Sequence, residues 1–498
     1  MKNLKNWAEG TDLVLLKGTD QIPVNEVSYD SRIAAPGCVF VCMQGSRFDS
    51  HDCIPELYEK GVRAFVVEKD LSALSLPEDD SVTVMKTKDV RTTLALLSAA
   101  RFEHPEKELK IIGITGTKGK TTSSTMLRTV LEEAGVKTGL IGTNGCFIAG
   151  ERTATRNTTP ESYELFSDFR KMADAGCGIC VMEVSSQAVK MKRTAGITFD
   201  IGVFLNISPD HIGPDEHESF EEYLDCKAGV LRQAKTVVIN KETEHLSELL
   251  QQIGSHEKTV FFSASGDADE RAENIRFISE EGFFGSEFDA AGLMNCTVRV
   301  PLPGKYNISN TLSVITVASL LKIDAESVVK GIRATSVDGR SEVVAATDRF
   351  SVLVDYAHNE VSMESLLAAI REDYHPNRLV VVFGCGGNRS KDRRTGMGAV
   401  AAKKADFTVI TSDNPRYEKP EDILRDIEDA YLKAGGESYV LIPDRREAIR
   451  WSMEHAEPGD LIAVIGKGHE DYQEICGVRN HFLDKEVILE EKEKLGLK

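Results

Sequence analysis

The chain reads as an α/β protein of three domains, and three observations predict that class. Its 498 residues exceed what a single hydrophobic core organises. Short β-branched runs alternate with helix-competent stretches, the pattern of parallel sheets covered by helices. A glycine-rich loop, Gly113 to Thr122 (GITGTKGKTT), stands between an apolar run and a helix-competent stretch.

Three blocks follow in order. Residues 1–107 carry short β-like runs at Ile22–Tyr29, Cys38–Met43, Ala64–Val67 and Val82–Met85, with turns at Pro36-Gly37 and Gly45 and a closing helix over Arg91–Arg101. The polar stretch His104–Glu108 contains Pro105 and reads as a linker. Residues 108–337 open with the strand Leu109–Ile114, the glycine loop and a helix over Ser123–Glu133. They continue with strands at Gly139–Gly142, Ile179–Val184, Ile201–Ile207 and Thr236–Ile239, a strand-rich insertion over 253–300 and a helix over Asn307–Lys322, so a mainly parallel sheet is expected. Residues 338–498 repeat strand, polar turn and helix from Phe350–Asp355 through Leu379–Phe383, Phe407–Thr411, Tyr439–Ile442 and Leu461–Ile465, a Rossmann-like arrangement.

Composition narrows the function classes. The hydrophobic share of 41% and the charged share of 28% describe an ordinary globular protein. No apolar run reaches the roughly 18 residues of a membrane span, and the N-terminus lacks the apolar stretch and cleavage site of a secretory signal. The ten cysteines form no framework, and Cys177 and Cys180, despite their redox-motif spacing, run into an apolar strand and read as buried thiols. A cytoplasmic protein is expected. The net charge of −19 argues against a nucleic-acid surface. An anionic substrate must then be met by local positive groups.

The glycine loop points to phosphate. Glycines let backbone N–H groups turn inward, and the following helix presents its positive dipole end. Lys120 is placed to reach outer phosphates and the Thr121 hydroxyl to hold Mg²⁺. The generic spacing G-x-x-x-x-G-K-[ST] is missed by one residue, because Ile114 stands where its first glycine belongs. Glu183 ends a buried strand, where a carboxylate needs a partner or a cation; a satisfied core acid is the other reading. Asn206, Asp210 and His211 follow the next strand and can converge on the same edge. Lys227 sits on a helix and, from its own surroundings, reads as a surface lysine. Five polar turns follow strands or open a helix: around Asn307 and Asn310, at Asp355-Tyr-Ala-His358, Gly384–Arg389, Ser412–Arg416 and Gly466–Glu470. Each alone is a turn; together they describe a ligand rim.

The series GTKGKTT, MEVSSQ, NISPDH, PGKYNISN, DYAH, GCGGNR, SDNPR and GKGHE resembles the Mur ligases across almost the whole chain. The resemblance implies a small α/β UDP-binding domain, signalled by Tyr29-Asp-Ser31-Arg32, a central ATPase domain and a C-terminal amino-acid-binding domain. It implies an ATP- and Mg²⁺-dependent amide ligase acting on UDP-MurNAc-L-Ala-D-Glu; a monomer is expected. By resemblance, Gly116, Thr117, Lys118, Gly119, Lys120, Thr121 and Thr122 cradle ATP, with Asn307, Asn310, Arg340, Asp355 and His358 bordering it. Thr121 and Glu183 hold one metal, His211 and a carbamylated Lys227 a second, and Lys120, Lys227 and His211 are the catalytic set. Ser31, Thr158, Thr159, Ser185, Gln187 and Arg193 hold the UDP-sugar peptide. Arg389, Asp413, Asn414, Arg416, Gly466 and Glu470 form the amino-acid pocket, where Arg416 favours meso-diaminopimelate, with its distal carboxylate, over L-lysine.

The chain departs from the family pattern at Gln187, at Asn359-Glu-Val, at Asn388 and Ser390, and at Asn240-Lys-Glu. Gln187 keeps hydrogen bonding without charge. Three alternatives stay open: lysine addition, a folylpolyglutamate-type ligase, and a non-catalytic nucleotide-binding regulator.

Overall fold

The structure, a computed structural model, describes residues 2–45, 48–76, 78–210, 212–213, 216–280 and 283–497. The chain divides into two compact units, Met1–Phe261 and Phe262–Lys498.

The first unit holds, besides a two-stranded pair of Lys2–Asn3 with Pro23–Val24, two larger sheets. Five strands in the order Val14–Lys17, Thr83–Lys86, Ala64–Val67, Cys38–Val41, Glu26–Ser28 form the smaller one, parallel except for its first pair. The helix Val90–Arg101 starts where the Asp89 side chain accepts from Thr92 N, and packs Val90, Leu94 and Leu97 into the core of this sheet. The linker expected at His104–Glu108 is a single turn of 3₁₀ helix over Pro105–Lys107.

In the larger sheet, five parallel strands run in the order Thr138–Gly142, Ile179–Glu183, Lys110–Thr115, Phe199–Phe204, Ala234–Asn240. Antiparallel strands Gly145–Ile148 and Glu151–Thr153 extend one edge. These strands are buried on both faces, as their continuous apolar runs demand. The strand of the glycine loop lies at the centre. Its end pairs Ile114 with Glu183 on one side and Thr115 with Phe204 on the other. All three strands therefore deliver their C-terminal residues to one place. Cys177 and Cys180 are buried free thiols, as expected.

In the second unit, antiparallel strands Glu270–Glu280, Phe283–Gly292 and Cys296–Val300 make the insertion expected over 253–300. The helices Tyr306–Leu320 and Ala325–Ala334 follow. A six-stranded sheet then runs Glu342–Ala346, Phe350–Asp355, Asp460–Ile465, Arg378–Phe383, Phe407–Ile410, Tyr439–Leu441, parallel except at the first pair. Separate hydrophobic clusters cover its two faces, one built on Leu353, Val381 and Ile410, the other on Val352, Val382 and Val409. Alternate residues of the same strands thus feed opposite cores. The register pairs Asp355 and Phe383 with Ile465, and Phe383 with Ile410, so four strand ends share one edge. Among the described residues no helix is long and apolar enough to cross a membrane.

Candidate active site

The helix after the glycine loop covers Lys120–Glu133, three residues earlier than its apolar pattern shows. Gly119 takes φ 87°, a left-handed conformation that costs glycine little, and this lets Lys120, Thr121 and Thr122 form the first turn. Gly116 is the other position that needs glycine. A Cβ there would stand 2.9 Å from Leu205 Cβ and 3.1 Å from the Lys118 carbonyl. The missing first glycine of the generic pattern is thereby explained, because Ile114 lies within the strand and the turn begins only at Gly116.

The loop is tied to the neighbouring strand end. Lys118 N donates to Asn206 Oδ1 (2.9 Å), Asn206 Nδ2 donates to the Lys118 carbonyl (3.1 Å), and Thr117 N donates to the Asn206 carbonyl (3.1 Å). Lys120 Nζ donates to the carbonyls of Gly116 (2.7 Å) and Thr117 (3.1 Å), curled over its own loop. On the other side Thr121 Oγ1 donates to Glu183 Oε2 at 3.0 Å. Thr143 adds its N–H to Oε1 (3.0 Å) and its hydroxyl to Oε2 (3.1 Å). Glu183 is buried, and burial raises its pKa against the opposing effects of Lys120 and of the Thr143 and Thr121 bonds. A carboxylate and a hydroxyl at a phosphate loop are hard oxygen donors, and they fit Mg²⁺, which takes few protein ligands and keeps waters and phosphate oxygens.

Lys227 overturns the surface reading. Its helix, Phe220–Arg232, places Tyr223, Lys227 and Leu231 on one stripe at four-residue spacing, and Lys227 is 1% exposed. Its Nζ lies 4.6 Å from the centroid of the Tyr223 ring. Among the described residues no carboxylate is within ion-pair distance of it. Burial, and secondly the charge of Lys120, push its pKa well below the ordinary lysine value. Burial thus disfavours the charged ammonium form of this side chain. His211 lies outside the described residues.

Thr158, Thr159, Ser185 and Arg193 are brought together around Glu183. Thr158 and Thr143 hydroxyls are 3.0 Å apart, and Thr159 Oγ1 donates to the Glu183 carbonyl (2.9 Å) and accepts from Ser185 N (3.1 Å). Arg193 Nη1 donates to the Thr159 carbonyl (3.1 Å), and Nε to Glu161 Oε1 (2.7 Å). Ser185 caps the short helix Ser186–Lys190, which carries Gln187. Beside them a cavity of about 850 Å³ runs from Tyr29, Asp30 and Ile33 to Asn157, Glu161 and Lys171. Ser31 adjoins the cavity's Asp30, and its carbonyl accepts from Lys60 Nζ.

In the second unit, Asn307 and Asn310 are buried in the first turns of their helix, with Asn310 Nδ2 donating to Asn307 Oδ1 (3.0 Å). Asp355 accepts from Ser341 N (2.6 Å) and Ala357 N (2.8 Å), while burial raises its pKa. The Arg340 guanidinium lies 5.2 Å from the centre of the Tyr356 ring, and His358 Nδ1 is 2.9 Å from the Tyr356 carbonyl. Further along the same strand edge, Asn414 Nδ2 donates to Glu470 Oε2 (2.8 Å), and Asp413 Oδ1 accepts from Asn414 N (2.6 Å). Gly466, at φ 111°, follows the strand between them. Arg416 Nη1 donates to the Gly387 carbonyl (2.7 Å). Arg389 is exposed on the neighbouring loop. Below this rim, Arg445 and Asp484 form a fully buried bidentate pair (2.7 Å), and Arg445 also donates to the Ser412 (3.3 Å) and Ile465 (3.1 Å) carbonyls. That arginine fastens two of the rim's loops, a role that no local motif marks.

Three family models match the chain. The Mur ligase family catalytic domain matches residues 23–102, the Mur ligase middle domain 114–318 and the Mur ligase glutamate ligase domain 339–468. A Clostridium perfringens protein named UDP-N-acetylmuramoyl-L-alanyl-D-glutamate–2,6-diaminopimelate ligase is 37% identical over 492 residues, 97% of this chain and 98% of its own. The chain belongs to the Mur ligase family. A Mur ligase of the same name from Chlorobaculum tepidum is 37% identical over 476 residues, 93% of this chain and 92% of its own. A solved structure titled with that enzyme's name superposes with a TM-score of 0.75 at 26% identity over 100% of both chains. A folylpolyglutamate synthase from Mycobacterium tuberculosis shares the fold, with a TM-score of 0.56 at 18% identity, over 74% of this chain and 91% of its own. Mur ligases are ATP-dependent, ADP-forming ligases.

Three of the positions where this Mur ligase departs from the family pattern make local hydrogen bonds. Asn359 caps the helix Glu360–Tyr374 in a reciprocal box with Ser362. Asn388 Oδ1 accepts from Tyr417 N (3.1 Å), joining the Arg389 and Arg416 loops. Asn240 Nδ2 donates to the Leu205 carbonyl (2.9 Å) behind the phosphate loop. Thr143 and Tyr223 are not legible as site residues: Thr143 is a turn threonine that only the fold brings to Glu183, and Tyr223 is an apolar helix position one turn before Lys227.

Proposed function

We propose that this Mur ligase joins meso-2,6-diaminopimelate to the γ-carboxylate of D-Glu in UDP-MurNAc-L-Ala-D-Glu, activated as an acyl phosphate, in peptidoglycan precursor synthesis. The observation that carries the reading is the cup at the second unit's strand edge. It sets a guanidinium, Arg416, whose only direct side-chain hydrogen bond among the described residues is to a neutral carbonyl, in the same rim as the acids Asp413 and Glu470. A distal carboxylate and a distal ammonium find opposite partners there, whereas lysine offers only the ammonium.

When bound, ATP supplies the phosphoryl group and Mg²⁺ neutralises charge on it. The chain's own residues position. Lys120 leaves its loop carbonyls for the outer phosphates, and the backbone of Gly116–Thr122 cradles them. Thr121 and Glu183 hold one metal, and His211 with a carbamylated Lys227 a second. The neutral Lys227 amine is the form that takes up CO₂, which turns it into an oxygen ligand. Thr158, Thr159, Ser185, Gln187, Arg193 and Ser31 hold the UDP-sugar peptide. In the second unit Asn307, Asn310, Arg340, Asp355 and His358 serve the nucleotide, and Arg389, Asp413, Asn414, Arg416, Gly466 and Glu470 the diamine. The functional modules divide at 107/108 and 337/338, in a monomer that works in the cytoplasm.

The deciding experiment offers the purified protein ATP, Mg²⁺, UDP-MurNAc-L-Ala-D-Glu, diaminopimelate and lysine together, and reads the product mass. Addition of diaminopimelate alone is expected. Lysine addition rejects the substrate reading, and no new amide rejects the ligase.

A further inference from the structure

Three arginines near the amino-acid cup are held in different ways. Arg445 is locked by the bidentate bonds to Asp484. Arg394 is locked likewise by Glu418 and Asp426, at 2.8 Å each. Arg416 has no such partner; its nearest carboxylate is Glu474, with Oε2 3.8 Å from Arg416 Nε. That distance is an ion pair without a hydrogen bond, so the guanidinium is oriented yet keeps donors for a ligand.

Glu474 belongs to a small hairpin, Tyr472–Ile475 with Val478–His481, that follows Glu470. Its backbone grips the same loop. Arg416 N donates to the Glu474 carbonyl (3.0 Å), and Cys476 N donates to the Arg416 carbonyl (2.7 Å). These bonds hold Arg416 at φ 52°, a left-handed conformation uncommon for a side chain of this size. Glu474 N also donates to Asn414 Oδ1 (2.9 Å), and Gln473 Nε2 to the Asp413 carbonyl (2.7 Å). On its outer side Glu474 Oε2 lies 3.8 Å from Arg479 Nε, and Arg479 stacks over Tyr472 at 4.3 Å. Buried Lys467 donates to the Tyr472 carbonyl and fixes the hairpin's root. One residue thus touches the backbone of Arg416, the side chain of Asn414 and two guanidinium groups.

We propose that Glu474 is a positioning residue that sets specificity in the amino-acid cup. Its carboxylate, spread between Arg416 and Arg479, aims the Arg416 guanidinium at the incoming diamine's distal carboxylate. Because the pair is 3.8 Å apart, the substrate carboxylate takes up free donors and breaks no hydrogen bond to Glu474. The inference rests on the diaminopimelate reading.

The test is steady-state kinetics on the full enzyme. Glu474→Ala is expected to raise KM for diaminopimelate about tenfold and leave kcat within about threefold, the signature of lost ground-state orientation. The KM values for ATP and for the UDP-sugar dipeptide stay as in the parent. Glu474→Asp recovers part of the loss. Arg479→Ala, at a largely exposed side chain, raises the same KM less and cannot act by unfolding a core. The kcat/KM for diaminopimelate falls in step with the rise in KM. A diaminopimelate KM within twofold of the parent in Glu474→Ala overturns the proposal, as does a parallel rise of all three KM values. If the parent enzyme itself does not add diaminopimelate, the underlying reading fails instead, and that control is run first.

Discussion

Thr121 and Glu183, 62 residues apart in the chain, meet through a 3.0 Å hydrogen bond at the start of the phosphate-loop helix. Parallel pairing of Ile114 with Glu183 brings the glycine-loop strand and the acid to the same sheet edge, where the helix start reaches it. The pair joins a phosphate loop to a buried acid whose ionised form is disfavoured until a cation arrives.

Glu183→Gln is therefore expected to lower turnover by about 10²–10³-fold, the usual size of a lost preorganised electrostatic contact. Burial raises the Glu183 pKa, so in the metal-free protein its stability contribution is full below the ordinary carboxylate range and is lost as pH rises through the raised value. Mg²⁺ favours the anion and reverses this. Thermal melts should show Mg²⁺ stabilisation that grows with pH in the parent and is absent in Glu183→Gln. Equal Mg²⁺ shifts in the two proteins would remove Glu183 from the metal site.

Lys227→Ala should cripple turnover, and short carboxylates such as acetate or formate should restore part of it. The parent enzyme depleted of CO₂ should lose activity and regain it with bicarbonate, with labelled carbon appearing on this lysine by NMR. Burial disfavours the ammonium of Lys227, and the neutral amine is the reactive form for that chemistry. Full activity in Lys227→Ala would end the carbamylation account.

Arg416→Ala should raise KM for diaminopimelate by about 10–100-fold, the range for losing a charge-assisted bidentate partner, and leave KM for ATP unchanged. Arg416→Lys should rescue little, since an ammonium cannot reproduce the planar fork. Unaltered preference for diaminopimelate over lysine in either variant would displace Arg416 from the pocket.

A fourth expectation concerns stability in the second unit. Glu270 is fully buried, accepts from Met294 N (2.9 Å), and has its pKa pushed up to about 7 by burial, with the Met294 and Leu293 N–H bonds and then Arg271 opposing. Its stabilising contribution is full below the ordinary glutamate value and disappears as pH rises through about 7. Urea midpoints should fall between about pH 6 and pH 8 in the parent, and this step should flatten in Glu270→Gln. Superimposable pH profiles for the two proteins would contradict the assignment.

The amino-acid sequence by itself determined the α/β class, the phosphate loop and the polar strand-end turns, because these depend on hydrophobic period, glycine placement and turn chemistry within a few residues. It left Lys227 as a surface lysine, although Tyr223, Lys227 and Leu231 share one helical stripe, since a lysine on such a stripe can equally carry its head to water. Only the tertiary structure closed that route by packing the helix against the phosphate-loop strand. It alone brought Thr143 to Glu183 and placed Glu474 between Arg416 and Arg479. Contacts between distant segments depend on sheet order and register, which no local pattern of residues encodes.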